Sequence, residues 1–438
     1  MLRLSVIGTG YLGATHAVCM SELGFEVVGI DSDPDKVARL SDGVVPFFEP
    51  GLGPLLQKQL DSGRLTFTTE YDDVATADVH FLCVGTPQSK GELAADLTYV
   101  DGAVSALAPR LERPTVVAGK STVPVGTAAR LAERFAAESP AGEGVELAWN
   151  PEFLREGFAV EDTLRPDRLV VGIRPGGAAA DVLREVYAAP IGNGTPYLVT
   201  DYPTAELVKV AANAFLATKI SFINAMAEVC DAVGGDVVQL ADAIGHDTRI
   251  GRRFLNAGLG FGGGCLPKDI RAFMARAGEV GADQALTFLR EVDAINMRQR
   301  ARVIDLAREL CEGSFLGKRV AILGAAFKPD SDDVRDSPAL NVAGQISLQG
   351  ANVTVYDPEA TANARATFPT LSYATSVDEA CANADVVLHL TEWSEFRAID
   401  PVRLADVVRQ RKVIDARNAL DVHAWRSAGW TYRALGRP

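Results

Sequence analysis

Long hydrophobic runs are missing from this 438-residue chain. No uninterrupted apolar stretch approaches the ~18 residues that a bilayer crossing takes, so a membrane-embedded role is not expected. Excess positive charge is missing too: Lys and Arg number 43 against 57 Asp and Glu, a formal net charge of −14. A nucleic-acid or anionic-membrane partner needs a face rich in Lys and Arg, and this balance argues against both. Cysteine is sparse, with residues scattered at 19, 83, 230, 265, 311 and 381. None forms a CxxC pair and no histidine stands nearby at zinc-ligand spacing, so no metal site is expected. For all but Cys265 the expectation is a free thiol in a reducing cytoplasm. The opening MLRLSVIGTG has no signal-type apolar core and no small-residue cleavage site. Low-complexity segments and short repeats are absent as well.

What remains is ordinary globular material, 47% hydrophobic and 23% charged. At the usual ~150 residues per domain the length suggests about three domains. Apolar, strand-forming runs recur at 2–7, 79–85, 115–119, 145–150 and 168–173, with helix-like segments such as 97–108 and 125–137 between them. Strands apolar throughout, alternating with helices, predict a parallel sheet covered on both faces. From Asp201 the pattern changes to one long predicted helix with no glycine between Thr204 and Val233, then more helix at 236–244 and 283–311. Alternation restarts at 318 with KRVAIL and continues through ANVTVYDP, DVVLHL and RKVIDA. The fold class is α/β: two Rossmann-like doubly wound domains joined by a long central helix and a helical middle. The boundaries are set at 1–200, 201–312 and 313–438.

The first strand runs into Gly8-Thr9-Gly10-Tyr11-Leu12-Gly13, and Asp31 ends the next strand. Alone, GxGxxG is a weak signal. Between a strand and a helix, with an acid closing the second strand, it describes a dinucleotide site. Gly8 makes the tight turn, Gly10 lets the backbone approach a pyrophosphate, and Gly13 allows close helix–strand packing. Asp31 would accept from both ribose hydroxyls and repel a 2′-phosphate, which favours NAD over NADP. The C-terminal counterpart, Leu323-Gly324-Ala325-Ala326, lacks the motif and is expected to bind something else.

Three further segments carry chemistry. In Asn150-Pro151-Glu152-Phe153-Leu154-Arg155-Glu156, a helical conformation would point Glu152 and Glu156 the same way; a solvated acidic helix start is the plainer alternative. Lys209 and Asn213 lie one helical turn apart among Leu207, Val208, Val210 and Phe215. Such a pair needs polar partners and would suit a developing oxyanion, unless Lys209 snorkels to solvent. Phe261-Gly262-Gly263-Gly264-Cys265-Leu266-Pro267-Lys268-Asp269 leaves a cysteine exposed after a glycine run. A helix starting there would favour a reactive thiolate. A base and NAD suffice to oxidise an alcohol to an aldehyde. Reaching the acid needs a tetrahedral adduct from which a second hydride can leave; a thiohemiacetal supplies it and gives a thioester, so NAD plus a reactive cysteine suggests four-electron oxidation.

These stretches, with VGTPQ, KSTVPVGT, IGRRFLNAGLG and FKPDSDDVRDSP in this order, resemble the UDP-glucose/GDP-mannose dehydrogenase family along essentially the whole chain. The resemblance implies conversion of UDP-glucose, two NAD and water to UDP-glucuronate by a cytoplasmic homodimer built on the central helix. It implies Cys265 as nucleophile, Lys209 and Asn213 at the oxyanion, Thr122 and Asp269 positioning water, and Glu152 in thioester hydrolysis. For NAD it implies Gly8, Gly10, Tyr11, Leu12, Gly13, Asp31, Lys36, Thr86, Thr122, Glu156, Lys268 and Arg335. For the sugar nucleotide it implies Glu152, Phe153, Leu154, Arg155, Glu156, Lys209 and Asn213. Phe254, Leu255, Asn256, Ala257, Gly258, Gly262 and Lys328 complete that set, and Arg249 would reach the partner subunit's substrate. The chain departs from the family pattern at Gly85, where VNTP is familiar, at Gly264, where serine is common, and at Ala225. GDP-mannose and UDP-N-acetylmannosamine are the alternative substrates. A non-catalytic nucleotide-binding regulator or a two-electron hydroxy-acid dehydrogenase would leave Cys265 without a task.

Overall fold

The computed structural model describes residues 2–89 and 91–437. They gather into two compact units: one reaches to Ala212 and includes Arg271–Gly281, the other comprises Asn213–Ile270 and the chain from Ala282 onward.

The first unit carries an eight-stranded sheet. Its strands are β1 (Arg3–Ile7), β2 (Glu26–Ile30), β3 (Leu65–Thr68), β4 (Val79–Leu82), β5 (Thr115–Gly119), β6 (Val145–Trp149), β7 (Leu169–Gly172) and β8 (Tyr197–Thr200), in the spatial order 3-2-1-4-5-6-7-8. Val116 and Ala118 of β5 enter the core on one face and Val117 the core on the other; β2 divides Val27 from Val28 and Ile30 in the same way. A strand that buries alternate residues on opposite faces must be apolar throughout, which is why these segments read as continuous runs. The order places a topological switch between β1 and β4, where sheets of this kind take their ligands.

Two features differ from the sequence-based expectation. Strands β3 (LTFT) and β8 (YLVT) occupy the sheet edges and are half-exposed, so neither shows a full apolar run. Strands β6 and β7 pair antiparallel at Trp149 and Gly172, so the sheet is mixed rather than wholly parallel. Antiparallel neighbours need no long crossover helix, and residues 150–168 join them at the sheet end through a loop and the short helix Ala159–Leu164.

The second unit carries β9 (Arg319–Leu323), β10 (Asn352–Tyr356), β11 (Ser372–Tyr373), β12 (Val386–His389), β13 (Lys412–Asp415) and β14 (Thr431–Ala434), all parallel. Their order, 11-10-9-12-13-14, repeats that of the first six strands of the other sheet. Val320, Ile322, Val387 and Ile414 are fully buried at its centre. Fully burying each such side chain contributes roughly 1.5–3 kcal/mol.

The helix Tyr202–Val233 runs for 32 residues. Its one proline is the second residue, where a missing N–H costs no helical bond. Phe215, Phe222, Val229 and Val233 leave one stripe of it exposed. Its most apolar 18-residue window has mean hydropathy 1.3 and is 44% buried. Length and composition alone would let such a helix cross a bilayer, a test that the core helix of a packed protein passes as well. Helices Val237–Gly245, Leu266–Glu279 and Phe288–Leu310 follow, the second starting directly after Cys265.

Candidate active site

At the end of β1 the chain turns through Gly8, whose φ of 87° belongs to glycine, and its N–H donates to Ile30 O at 2.8 Å. Helix Tyr11–Glu22 begins at once. A Cβ on Gly13 would lie 1.7 Å from Gly8 O, so only glycine lets the helix enter here. This backbone cradle, with an acid beside it, fits a dinucleotide. Asp31 Oδ2 accepts from Thr9 N (2.8 Å), Thr9 Oγ1 (3.1 Å) and Lys36 Nζ (2.9 Å), and Oδ1 accepts from Asp33 N at 3.1 Å. Burial pushes the Asp31 carboxyl up, but the bonds from Lys36, Thr9 and Asp33 outweigh it and hold the pKa below the ordinary carboxylate value. An ionised Asp31 disfavours a 2′-phosphate, which is why NAD is the cofactor that suits this end.

Tyr11 faces inward. Its hydroxyl donates to Glu49 Oε2 and accepts from Gly157 N at 3.1 Å, with the Phe47 ring centroid 4.8 Å away. Buried Glu49 also takes Gly157 N and Ala159 N, both at 2.7 Å. Glu49 stands in no motif, and only the fold brings it to Tyr11 and Gly157. Next to the switch point, Thr86 Oγ1 donates to Thr122 O at 2.7 Å, tying the loops after β4 and β5 together.

Residues 150–156 are not helical, so the shared face expected of Glu152 and Glu156 does not form. Asn150 precedes a proline, which disfavours helix. Glu152 Oε2 instead accepts from Leu154 N at 2.6 Å, a local bond that competes with helix. Its Oε1 meets Lys209 Nζ at 2.8 Å, and both side chains are largely buried. Lys209 thus does not snorkel; its ammonium is paired and lies 5.7 Å from the Phe153 ring centroid. Arg155 turns to Asp162.

In the second unit, buried Asp269 is held from two sides: Asn213 Nδ2 donates to Oδ2 and Lys268 Nζ to Oδ1, each at 2.6 Å. Asn213 therefore has the polar partner that its apolar stripe demands. Cys265 is exposed and opens helix Leu266–Glu279, its carbonyl accepting from Asp269 N at 2.9 Å. The other cysteines are buried. Burial pushes the Cys19, Cys83 and Cys381 thiols up to about 12, and raises Cys230 and Cys311, so none of these is a thiolate near neutral pH.

The glycine loop before Cys265 is packed, not loose. Gly263 N donates to Arg335 O at 2.9 Å, and a Cβ on Gly262 would lie 2.4 Å from Asp336 O. A Cβ on Gly264 would lie 2.3 Å from Arg335 Cζ, so the departure from serine makes room for this guanidinium. Arg335 also pairs with Asp333 at 2.7 Å. Lys328 stacks over Phe327 at 5.4 Å. Three residues without a sequence motif steady the loop. Asn296 brackets Phe261 (N 2.7 Å, O 3.0 Å), Asn224 Oδ1 accepts from Gly258 N at 2.8 Å, and Arg417 donates to Gly260 O at 2.9 Å.

Not every expected contact residue presents a free side chain. Leu255 and Ala257 are buried in a small core with Ile223 and Ala227, leaving only backbone. Asn256 accepts from Arg252 at 2.8 Å, and Phe254 is exposed with φ 66°. Arg249 is paired with Asp247 and its side chain is 87% exposed. Among the described residues no cluster of His, Cys, Asp or Glu could hold a metal ion.

Comparison with known proteins divides the chain into three matches within one family, the UDP-glucose/GDP-mannose dehydrogenases: the NAD binding domain over 2–191, the central domain over 203–298 and the UDP binding domain over 321–422. A UDP-glucose 6-dehydrogenase of Rhizobium meliloti (strain 1021) is 42% identical over 439 residues, covering 100% of both chains. A solved UDP-glucose dehydrogenase from Pyrobaculum islandicum is 38% identical with a TM-score of 0.91, covering 100% of this chain and 98% of that one. A UDP-D-ManNAc dehydrogenase from Pyrococcus horikoshii is 27% identical with a TM-score of 0.87, covering 100% and 99%.

Proposed function

This chain belongs to the UDP-glucose/GDP-mannose dehydrogenase family, and from that premise we propose that it oxidises UDP-glucose to UDP-glucuronate in two NAD-dependent steps. The observation that carries the four-electron reading is the exposed thiol of Cys265, in the same unit as the Asn213–Asp269–Lys268 cluster. A binding protein or a two-electron dehydrogenase has no use for it. Identity of 42% over the full length to a UDP-glucose 6-dehydrogenase supports the choice of substrate.

NAD, when bound, takes up a hydride in each of the two oxidations. By the family resemblance it would be held by Gly8, Gly10, Tyr11, Leu12, Gly13, Asp31, Lys36, Thr86, Thr122, Glu156, Lys268 and Arg335. The C6 alcohol first becomes an aldehyde, its hydroxyl proton leaving to water positioned by Thr122 and Asp269. Cys265 Sγ then bonds to the aldehyde carbon and the carbonyl oxygen gains charge, which Lys209 and Asn213 steady. Loss of a second hydride from that carbon turns the thiohemiacetal into a thioester. In hydrolysis, water oxygen bonds to the acyl carbon, the C–S bond breaks, sulfur leaves as thiolate and Glu152 takes a water proton. The carboxylate product remains on the nucleotide.

The sugar nucleotide is held by residues 152–156, Lys209, Asn213, the loop 254–258, Gly262 and Lys328. Residues 1–200 serve the cofactor, 201–312 assembly and the thiol, and 313–438 the nucleotide. The exposed stripe Phe215, Phe222, Val229 and Val233 supports a homodimer on the long helix, and the solvent-exposed Arg249 suits a role in the partner's site. Five buried cysteines outside any disulfide, Cys19, Cys83, Cys230, Cys311 and Cys381, support a reducing, cytoplasmic setting. The substrate test is initial rates on UDP-glucose, GDP-mannose and UDP-N-acetylmannosamine under one NAD concentration. UDP-glucose is expected to dominate kcat/KM; a larger value for either rival overturns the assignment.

A further inference from the structure

One buried cation has no task in this chemistry. Lys120 directly follows β5 and is 6% exposed. Among the described residues its bonds run to neutral acceptors alone: Asn150 Oδ1 at 3.0 Å, Tyr187 OH at 3.3 Å and Asn150 O at 3.5 Å. Three acceptors meet the three N–H groups of an ammonium, and a neutral amine would leave one unserved. Asn150 is fixed at every polar atom. Its Oδ1 also accepts from Tyr187 OH at 2.7 Å, its Nδ2 donates to Val170 O at 2.8 Å, and its N–H donates to Gly119 O at 2.8 Å. Two residues later stands Glu152. The sheet fold alone does not call for a buried charge here, since burying one costs several kcal/mol that an apolar side chain would save.

We propose that Lys120 is a positioning residue for thioester hydrolysis, its ammonium clamping Asn150 so that Glu152 is presented to water. The inference rests on the hydrolytic role given to Glu152 above. A cavity of about 50 Å³ reaches both residues, lined by His16, Lys120, Glu152, Thr163 and Tyr187 among others. That is room for water, and the buried His16 Nε2 facing this region has no protein partner. The groups around the ammonium are His16 from helix Tyr11–Glu22, Cys83 after β4, Tyr187, and Glu152, with Asp162, Asp167 and Arg168 on the cavity wall. Burial holds His16 neutral and keeps the Cys83 and Tyr187 protons on, so the charge seen by Lys120 is chiefly that of Glu152. Burial lowers the Lys120 pKa to about 8, with the Glu152 charge opposing the shift. The clamp is therefore charged at neutral pH and is lost as pH rises through about 8.

The test is rapid-mixing kinetics with UDP-glucose and saturating NAD on wild type and Lys120→Met. The variant should release two NADH per site in a fast burst and then turn over about tenfold more slowly than wild type. Intact-mass spectrometry should show the acyl adduct accumulating while the KM for NAD stays unchanged. In wild type the hydrolysis rate should fall above about pH 8, and that limb should vanish in the variant. Burst and steady rates falling in proportion, with no adduct, overturns the proposal, as does a variant equal to wild type. Should Lys120→Met not fold, Tyr187→Phe and the wild-type pH profile decide in the same way. Wild type that forms no NADH from UDP-glucose fails the parent reading instead.

Discussion

The two sheets of this chain share a strand order and a first turn, yet they use the acid after their second strand in opposite ways. Gly8 N donates to Ile30 O and Gly324 N to Tyr356 O, both at 2.8 Å, and both glycines have positive φ (87° and 112°). Asp31 and Asp357 follow at the same place. Asp31 keeps capacity on Oδ1, which accepts from Asp33 N alone. Asp357 is 1% exposed and accepts from five donors: Ala325 N, Ala326 N, Trp393 Nε1, Glu359 N and Ala360 N. The first carboxylate keeps one oxygen with a single donor, whereas both oxygens of the second are taken up by the fold. The helix entry differs as well. In the first sheet Tyr11–Glu22 starts two residues after Thr9, whereas the second inserts residues 325–337 before Pro338–Leu348. That inserted stretch carries Lys328 and Arg335 and packs on Gly262, Gly263 and Gly264. A repeated topology thus serves cofactor binding at one end and support of the thiol loop at the other.

The largest effect comes from leaving both sheet ends intact and removing the chemistry. Cys265→Ala should abolish UDP-glucuronate formation while calorimetry still finds NAD bound; acid formed at wild-type rate would remove the thioester route. Next is Asp357→Asn, which turns an amide donor either toward the N–H groups of Ala325 and Ala326 or toward those of Glu359 and Ala360. A loss of about 2–3 kcal/mol is expected in urea unfolding, with NAD affinity of the folded protein unchanged. Asp31→Asn should do the reverse. We expect NAD to bind about tenfold more weakly, a loss of about 1.4 kcal/mol, with little change in Tm. If both substitutions act alike on stability and on affinity, the contrast between the two acids is lost. The smallest effect is Gly264→Ser, which must displace the Arg335 guanidinium. A rise of about threefold in the KM for NAD with kcat nearly kept would mark Arg335 as a cofactor residue. Unchanged kinetics would free Arg335 from that role.

Much of this contrast was legible in the chain. Gly8, Gly10, Gly13 and Asp31 are readable because their geometry is local: a turn, a close approach and a strand end within one βαβ unit. Cys265 stood out because a glycine run and a following helix surround it. The missing features depend on distant partners. Asn296 acts on Phe261 and Glu206 on Gly126 and Ala128, pairings set by packing and carrying no spacing signal. Lys120 ends the apolar run TVVAG and opens the stretch KSTVPVGT, yet nothing local tells its task, which depends on Asn150 and Tyr187. Edge strands β3 and β8 escaped because half-exposed strands dilute their apolar pattern. The shared helical face of Glu152 and Glu156 failed on Pro151 and on the bond from Leu154 N to Glu152.

The direct test of one active thiol carrying a sugar alcohol through two oxidations is the NADH formed per molecule of limiting UDP-glucose, run to completion with excess NAD and with the product identified. Two NADH per sugar together with UDP-glucuronate is the predicted result. One NADH per sugar would mean that oxidation halts at the aldehyde and that Cys265 has no covalent role.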